Sequence, residues 1–237
     1  MKIGTVNIDW FLKKLPTKQF INDVIQKEDF DFLIVTENVE KFQISENYFV
    51  YHSDKIPLDK TFEFLDYGKY LKGIQAIRTS IYSKYPSIKA NFVIDPFTSI
   101  CHTFLVDETP ITIYGTIIGT WGILHQKSIA QKELLNFIKD VEQLNFNAQN
   151  FVVAGDFNTS FFEDENREII QINSREILKK VTDQFQIGRV TENIIKNIDH
   201  IFISKSMKCI EKSVFIYEDE LGDKYHKGIS VQLEFSK

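Results

Sequence analysis

The chain has 237 residues, of which 43% are hydrophobic, and it carries a formal net charge of −5. This length and composition exclude an intrinsically disordered chain and indicate a folded protein with a sizeable core. The negative charge argues against tight, non-specific binding of nucleic acid through a broad basic surface, although a bound cation can offset carboxylates locally.

The first part of the chain is predicted to form a strand, a helix and a second strand. Residues 2–8 are mostly apolar and are typical of a strand. Thr17 is the predicted N-cap of the helix, whose apolar stripe consists of Phe20, Ile21, Val24 and Ile25. Residues 30–37 form the next predicted strand, which ends in the carboxylate of Glu37. We expect the two strands to be neighbours joined by a crossover helix.

The middle of the chain is predicted to be rich in strands. Residues 44–72 are aromatic and charged without a clear period, and we predict strand fragments at 48–51 within a long loop. Further strands are predicted at 74–82, 100–106 and 111–118, where β-branched and aromatic residues are separated by turn residues. Because no helix intervenes between these strands, we expect an antiparallel section.

One long helix and the C-terminal strands complete the predicted fold. The helix spans residues 128–144, and its predicted buried face consists of Leu134, Leu135, Ile138 and Val141. A strand from Phe151 and a polar segment follow. The remaining predicted elements are a short helix at 175–180 and strands at 197–204, 209–216 and 228–235. We find no repeat or linker, so residues 1–237 are predicted to form one domain of two sheets with helices outside.

Cysteine usage and the N-terminus bear on location. Cys101 and Cys209 are far apart in sequence and have no neighbouring ligand, so we interpret them as buried thiols and not as metal ligands. The chain leads directly into its first strand without a long apolar stretch, and no run approaches the length of a membrane span. We therefore expect a cytoplasmic protein that does not insert into a membrane.

The stretch from Phe151 to Ser160 places polar groups at the end of an apolar strand. Gly155 is predicted to let the backbone turn, and Asp156 and Asn158 follow two residues apart. Side chains two apart in an extended chain lie on one face, so both are expected to enter one cleft while Phe157 faces the core. The same residues are ordinary turn formers, and a purely structural junction is the alternative.

Polar side chains of related chemistry lie near the ends of other predicted strands. These are Asn7, Asp9, Glu37, Asp199 and His226. Oxygen ligands suit Mg²⁺ or Mn²⁺, and the sequence has no cluster of cysteine and histidine of the kind that zinc requires. A carboxylate that orients a histidine, with a second carboxylate to activate water, is the equipment needed to hydrolyse a phosphate ester. Taken singly, Asn7 fits a turn, Glu37 a helix N-terminus and His226 the surface.

The neighbourhood of Asp199 gives one further expectation. A carboxylate among Ile198, Ile201 and Phe202 needs a partner if it is buried. The adjacent His200 should point to the other face of the strand, and we interpret it as a structural residue.

The order of these segments resembles that of the endonuclease/exonuclease/phosphatase superfamily, which has the deoxyribonuclease I-like fold. The resemblance covers essentially the whole chain. Its segments are Val6–Asp9, Thr36–Asn38, Tyr114–Thr116, Ala154–Asn158, Ile198–Phe202 and His226–Ile229. The pairing of Gly-Asp-Phe-Asn with a later Ile-Asp-His-Ile is the most specific part. The resemblance implies an α/β (α+β) fold, a four-layer α/β/β/α sandwich of two mixed β-sheets flanked by helices.

The resemblance also implies a metal site. Glu37 is expected to bind Mg²⁺ or Mn²⁺, with Asn7 beside it and Asp9 as a supporting residue.

Four residues, with Asn7 beside them, are implied to carry out catalysis. Asp156 is expected to position or deprotonate the attacking water, and Asn158 to hold that water and the phosphate in line. His226 is expected to contact a phosphoryl oxygen and stabilise its developing charge, while Asp199 fixes the orientation of the imidazole.

The function implied by the resemblance is hydrolysis of a phosphodiester or phosphomonoester by direct attack of water. Nucleic acid, DNA or RNA, is the favoured substrate because Asn-x-Asp in the first strand resembles the nuclease branches. The alternative is a catalytically degraded member that binds a phosphorylated ligand or a protein partner. It is motivated by Tyr225, where the family usually has an aspartate, and by Ile117, where it often has a histidine. Four lysines have two interpretations, contact with a phosphate backbone or simple solvation at the surface. They are Lys69, Lys72, Lys84 and Lys227.

Overall fold

The computed structural model describes residues 1–9, 13–39, 42–55, 61–62, 65–66, 77–119, 127–145, 150–162, 174–222 and 225–236. The strands in this part of the chain are β1 (Lys2–Asn7), β2 (Phe32–Asn38), β3 (Phe49–His52), β4 (Thr61–Phe62), β5 (Leu65–Asp66), β6 (Ile77–Ser83), β7 (Ser87–Ala90), β8 (Ser99–Val106), β9 (Thr109–Ile117), β10 (Phe151–Asp156), β11 (Ile187–Arg189), β12 (Asp199–Ser204), β13 (Met207–Ile216) and β14 (Gly228–Phe235). The helices are α1 (Leu15–Glu28), α2 (Lys127–Asn145), α3 (Ser174–Gln184) and α4 (Glu218–Leu221). None of these helices is long and apolar enough to cross a membrane.

Most of the strands form two six-stranded sheets. The first sheet has the order β13-β14-β1-β2-β6-β3, and the second has the order β11-β12-β10-β9-β8-β7. Strands β1 and β2 are parallel and are joined through α1, which confirms the predicted crossover. Strands β9 and β10 are also parallel, whereas β8 and β9 are antiparallel, as predicted. The predicted antiparallel section also included β6, but this strand lies in the first sheet, where it pairs with β2 and β3. Both sheets are therefore mixed.

The two sheets pack face to face around a shared hydrophobic core. Ile34 of the first sheet belongs to the same buried cluster as Ile113 and Val152 of the second. The outer face of the first sheet is covered by α1, which contributes Ile21 and Ile25. The outer face of the second sheet packs against α2 and α3 in a third cluster. The predicted four-layer arrangement of helices and sheets is confirmed.

The first helix differs from its prediction at its start and on its face. It begins at Leu15 and not after Thr17, with Pro16 in its first turn, where a missing N–H is tolerated. Of its predicted stripe, Phe20 is exposed to solvent, so the buried face is narrower than expected.

The long helix α2 also presents a different face. Leu135 is 54% exposed, because its side chain lies one residue, about 100°, away from Leu134 around the helix. The buried positions instead follow the helical spacing of Ala130, Phe137 and Val141. Of the two thiols predicted to be buried, Cys101 is buried and Cys209 is only partly so.

Several short elements were not predicted from the sequence. They are β7, β11, α4 and the β4–β5 pair. The predicted strand at 197–204 begins only at Asp199, and residues 74–76 of another lie outside the described residues.

Candidate active site

The ends of β1 and β10 meet although the two strands belong to different sheets. The side-chain Nδ2 of Asn7 donates a hydrogen bond to Oδ2 of Asp156 at 3.0 Å, and both residues are buried. Asn7 Oδ1 in turn accepts from the backbone N–H of Asp9 at 2.8 Å. The bond between Asn7 and Asp156 joins the two sheets at the edge where the polar strand ends converge.

Gly155 allows β10 to approach β9 closely. Its φ is +146°, and a Cβ at this position would lie 1.8 Å from the backbone oxygen of Thr116. Only glycine fits such a position. The strand nevertheless continues through Asp156, so the predicted turn at Gly155 is wrong.

The chain turns one step later, after Asp156. Asn158 has a left-handed backbone with φ 48°, which asparagine tolerates better than most residues. Its backbone N–H donates to Oδ1 of Asp156 at 2.8 Å, as in an Asx turn. Asp156 and Asn158 therefore meet through this turn and not through one extended strand face, while Phe157 is buried as predicted.

The amide group of Asn158 is used within the protein. Its Nδ2 donates to the backbone oxygen of Ile118 at 2.9 Å and to Oδ2 of Asp156 at 3.2 Å. Through these two bonds Asn158 holds the Asp156 carboxylate in place.

Asp199 and His226 form the second half of the site. Nδ1 of His226 donates to Oδ2 of Asp199 at 3.0 Å, and the same oxygen accepts from the backbone N–H of Lys227 at 3.3 Å. Asp199 is fully buried at the start of β12. Asn197 brackets it, because its side chain donates to the Asp199 carbonyl and accepts from the Asp199 N–H. Asn197 was not predicted from the sequence, although asparagine side chains commonly bond the backbone two residues further on, as this one does.

The two halves lie close together. Asp156 and Asp199 are directly opposite each other on β10 and β12. Ligand atoms of Asp156, Asp199 and His226 all lie within 4.8 Å of one another, an arrangement that can hold a metal ion. Burial is the largest cause that raises the pKa of the Asp156 carboxyl, to about 7; the imidazole of His226 opposes this shift, and the carboxylates of Asp199 and Glu37 add to it.

Glu37 approaches this group from the first sheet. It precedes the last residue of β2 and has a left-handed backbone with φ 53°. The next residue, Asn38, is buried and donates to Ser80 Oγ at 3.0 Å and Tyr82 Oη at 3.1 Å, which anchors the strand end to β6. Within the described ranges no hydrogen bond or ion pair of the Glu37 carboxylate is found, so its effect on Asp156 is through charge.

Asp9 lies at the margin of the site. Its backbone is left-handed with φ 36°, and its carboxylate lies 3.7 Å from the ammonium of Lys13. Because its N–H also holds Asn7 Oδ1, Asp9 is placed to support Asn7.

The other residues singled out from sequence have varied positions. His200 is fully buried on the opposite face of β12, and its Nε2 donates to Thr159 O at 2.8 Å, which confirms its structural role. Ile117 is fully buried. Lys84 forms an ion pair with Asp29 at 2.8 Å. This pair lies near the start of β2, whereas Glu37 lies near its end.

Lys227 is neither solvated nor exposed. Its ammonium forms an ion pair with Glu218, and its side chain is only 6% exposed. Lys69 and Lys72 lie outside the described residues.

The chain is similar to known proteins both in its sequence profile and in its fold. A family profile described as the endonuclease/exonuclease/phosphatase family matches residues 4–223, which include every candidate residue except His226. A search of curated protein sequences found no match.

Solved structures with the same fold share little sequence with this chain. A 3′ phosphatase from Neisseria bound to a product DNA hairpin has a TM-score of 0.71 and 13% identity, over 99% of this chain and 100% of that one. A 3′-5′ exonuclease from Neisseria meningitidis has a TM-score of 0.69 and 13% identity, over 100% of both chains. An endonuclease/exonuclease/phosphatase from Beutenbergia cavernae DSM 12333 has a TM-score of 0.68 and 12% identity, over 100% of this chain and 72% of that one.

Proposed function

Because the chain belongs to the endonuclease/exonuclease/phosphatase family, whose members hydrolyse phosphoester bonds, we propose that it is a divalent-metal-dependent phosphoesterase that acts on nucleic acid. The observation that carries the proposal is the convergence of the buried Asp156 and Asp199 with the partly buried His226. The names of two structural neighbours, a 3′ phosphatase and a 3′-5′ exonuclease, support DNA 3′ ends as the first substrate to test. We also propose a cytoplasmic location.

Asp156 is the proposed acceptor of the proton from the attacking water. Its raised pKa makes the carboxylate a stronger base than a solvated aspartate, which suits general-base catalysis near neutral pH. Asn7 and Asn158 each donate to its Oδ2, so the carboxylate is held in one orientation. This fixed geometry is the condition for efficient attack in line with the leaving group.

His226 is the proposed donor to a phosphoryl oxygen. Its Nδ1 is bonded to the carboxylate of Asp199, and Nε2 is the ring atom that we propose to face the substrate. Because Nδ1–H is bonded to Asp199, the imidazole donates from Nε2 only in its protonated form, and in that form it can stabilise negative charge as it develops on the phosphate.

The residues present fit a hard divalent cation. Carboxylates and an amide are the oxygen donors that Mg²⁺ and Mn²⁺ prefer, and the repulsion among Asp156, Asp199 and Glu37 is a charge excess that a cation would relieve. Glu37 would hold the ion, with Asn7 beside it and Asp9 in support. When bound, the cation supplies positive charge next to the phosphate.

The proposal is tested with purified protein and a panel of substrates. The panel contains DNA with a 3′ phosphate, single- and double-stranded DNA, RNA and an inositol phosphate, each with Mg²⁺ or Mn²⁺. Asp156→Asn is expected to lower kcat/KM by about a thousandfold, the range of a lost general base. Asp140→Asn is the matched control, because Asp140 is also a buried, hydrogen-bonded aspartate but belongs to α2.

Metal binding is read separately from turnover. The parent is expected to show a higher melting temperature with Mg²⁺ or Mn²⁺, since a ligand that binds the native state stabilises it, and Glu37→Gln is expected to reduce this shift. Equal hydrolysis by Asp156→Asn and the parent would contradict the proposed mechanism.

A second candidate function is binding of a phosphorylated ligand or a protein without turnover. The specific observation in its favour is Ile117, a buried aliphatic side chain where the resemblance implies a histidine. Saturable binding of a 3′-phosphorylated oligonucleotide, with no hydrolysis under either metal, is the result that would support it.

A further inference from the structure

Lys227 is a buried charged residue directly after His226. Its ammonium contacts the carboxylate of Glu218, the first residue of α4; the side chain of Lys227 is 6% exposed and that of Glu218 is 27% exposed. A buried ammonium is stable only when it is paired, so the contact determines where the Lys227 side chain lies. Burial is the largest single effect and raises the pKa of Glu218, but the hydrogen bond and charge of Lys227, together with a backbone hydrogen bond and the charge of Lys196, lower that pKa overall, consistent with an ionised pair.

The backbone of Lys227 is held at the same time by the candidate site. Its N–H donates to Oδ2 of Asp199 at 3.3 Å, the oxygen that also accepts from His226 Nδ1. The main chain of this one residue therefore contacts the acid that orients the imidazole, while its side chain contacts α4.

The residue after it is fixed by packing. A Cβ on Gly228 would lie 2.7 Å from the ring of Phe215, so glycine is needed for β14 to begin this close to β13. The segment from His226 to Gly228 is thus held by a hydrogen bond, an ion pair and a ring contact.

We propose that the Lys227–Glu218 ion pair is a positioning device for His226 and that Lys227 does not bind the substrate. The pair fixes the backbone on the C-terminal side of His226, and through it the bond between the imidazole and Asp199. This role rests on the proposed function only in so far as His226 contacts the phosphate; the positioning of the imidazole itself is independent of turnover.

The experiment compares Lys227→Met and Glu218→Gln with the parent, after circular dichroism has established that each is folded. Lys205→Met is the matched control, because Lys205 is an exposed lysine bonded to Gln186 at the other end of β12. Both test variants are expected to lower kcat about tenfold or more with little change in KM, in the range observed when partners that orient functional ligands are removed. Lys205→Met is expected to leave both parameters unchanged.

A lysine that contacts phosphate gives a different pattern. Lys227→Met would then raise KM and weaken its dependence on salt, whereas Glu218→Gln would leave kcat unchanged. That result would overturn the proposal, as would the unfolding of both variants, which would assign the pair to the fold as a whole.

A spectroscopic readout separates this proposal from the proposed function. In protein with ¹⁵N-labelled histidine, the parent is expected to show a protected Nδ1–H signal from His226, assigned through its loss in His226→Gln. The signal is expected to broaden or disappear in Lys227→Met and Glu218→Gln and to persist in Lys205→Met. If the parent hydrolyses no phosphate ester, the proposed function fails while this signal still decides the positioning role. An unchanged signal in both test variants would refute it.

Discussion

At Gly155 the chain has room for a hydrogen atom and for nothing larger. We expect Gly155→Ala to lower the free energy of unfolding by about 3 kcal/mol or more, because a Cβ would overlap Thr116 O and φ would stay positive. Urea unfolding followed by circular dichroism measures this change. Gly188→Ala is the control, since its Cβ would meet only Ile203 at 3.7 Å, and it is expected to change stability by less than about 1 kcal/mol. Similar losses in both variants would contradict the close approach of β9 and β10.

His200 makes stability depend on pH from inside the second sheet. Burial lowers the pKa of its imidazole to about 4, below the ordinary value of 6.5, while its bond to Thr159 opposes the shift. The unfolded chain therefore binds a proton first as the pH falls. The stabilisation is complete above about pH 6.5 and is lost toward pH 4, by up to about 3 kcal/mol.

The test compares urea unfolding of the parent and His200→Gln at about pH 7 and about pH 4.5. We expect the variant to lose less stability over this interval than the parent, because the other titrating groups are common to both. An equal loss in both proteins would show that His200 does not titrate in this range.

Two elements from different layers are joined by one buried ion pair. Arg78 of β6 in the first sheet contacts Glu133 of α2, which covers the second sheet, at 3.3 Å, and both side chains are 4% exposed. The second oxygen of Glu133 accepts from the N–H of Gly119 at 2.6 Å, just beyond β9. Burial raises the pKa of Glu133, and the charge of Arg78 opposes this shift.

We expect Glu133→Gln to destabilise the protein by about 3 to 5 kcal/mol, because it leaves a buried guanidinium without its counter-charge. The measurement is chemical unfolding, with Glu142→Gln as a control at a half-buried position of the same helix. In Arg78→Met/Glu133→Gln the loss should be smaller than the sum of the single losses. Strict additivity of the two changes would argue against the coupling.

Elements with a strong period were predictable, and short elements were not. Strand β2 and helix α2 have long apolar patterns that match one geometry each, so local sequence is sufficient for them. Strand β7 has only four residues at a sheet edge, three of them exposed, and so has no alternation to detect. Leu135 was wrongly assigned to the buried face of α2, because an apolar residue next to that face cannot be told from a member of it by sequence alone.

The residue types of the candidate site were predictable because strand ends carry them in the sequence. Their contacts were not, because these depend on segments far apart in the chain. The bond from Asn7 to Asp156 crosses between sheets, and the pairing of Lys227 with Glu218 requires the fold of α4. The local geometry at Asn158 was wrongly inferred because its left-handed backbone replaces the expected extended one.

On the scale of the whole molecule, the residues of the candidate site come from both sheets of the sandwich. Asn7 and Glu37 come from the first sheet, while Asp156 and Asp199 come from the second. Their relative positions depend on the packing of the two sheets against each other. Any change that shifts one sheet over the other alters the site without touching its residues.

The first sheet also gives the order in which the molecule can be completed. Strand β1 lies between β2 and β14, so one edge of the earliest strand stays open until the last strand is added. His226 directly precedes β14 and reaches Asp199 from there. During synthesis on the ribosome, Asp156 and Asp199 are therefore made before His226, and the nascent chain has these carboxylates without the imidazole. The addition of β14 therefore completes the first sheet and brings His226 to Asp199 in the same step. A chain that has not yet been extended to this point lacks one residue of the candidate site.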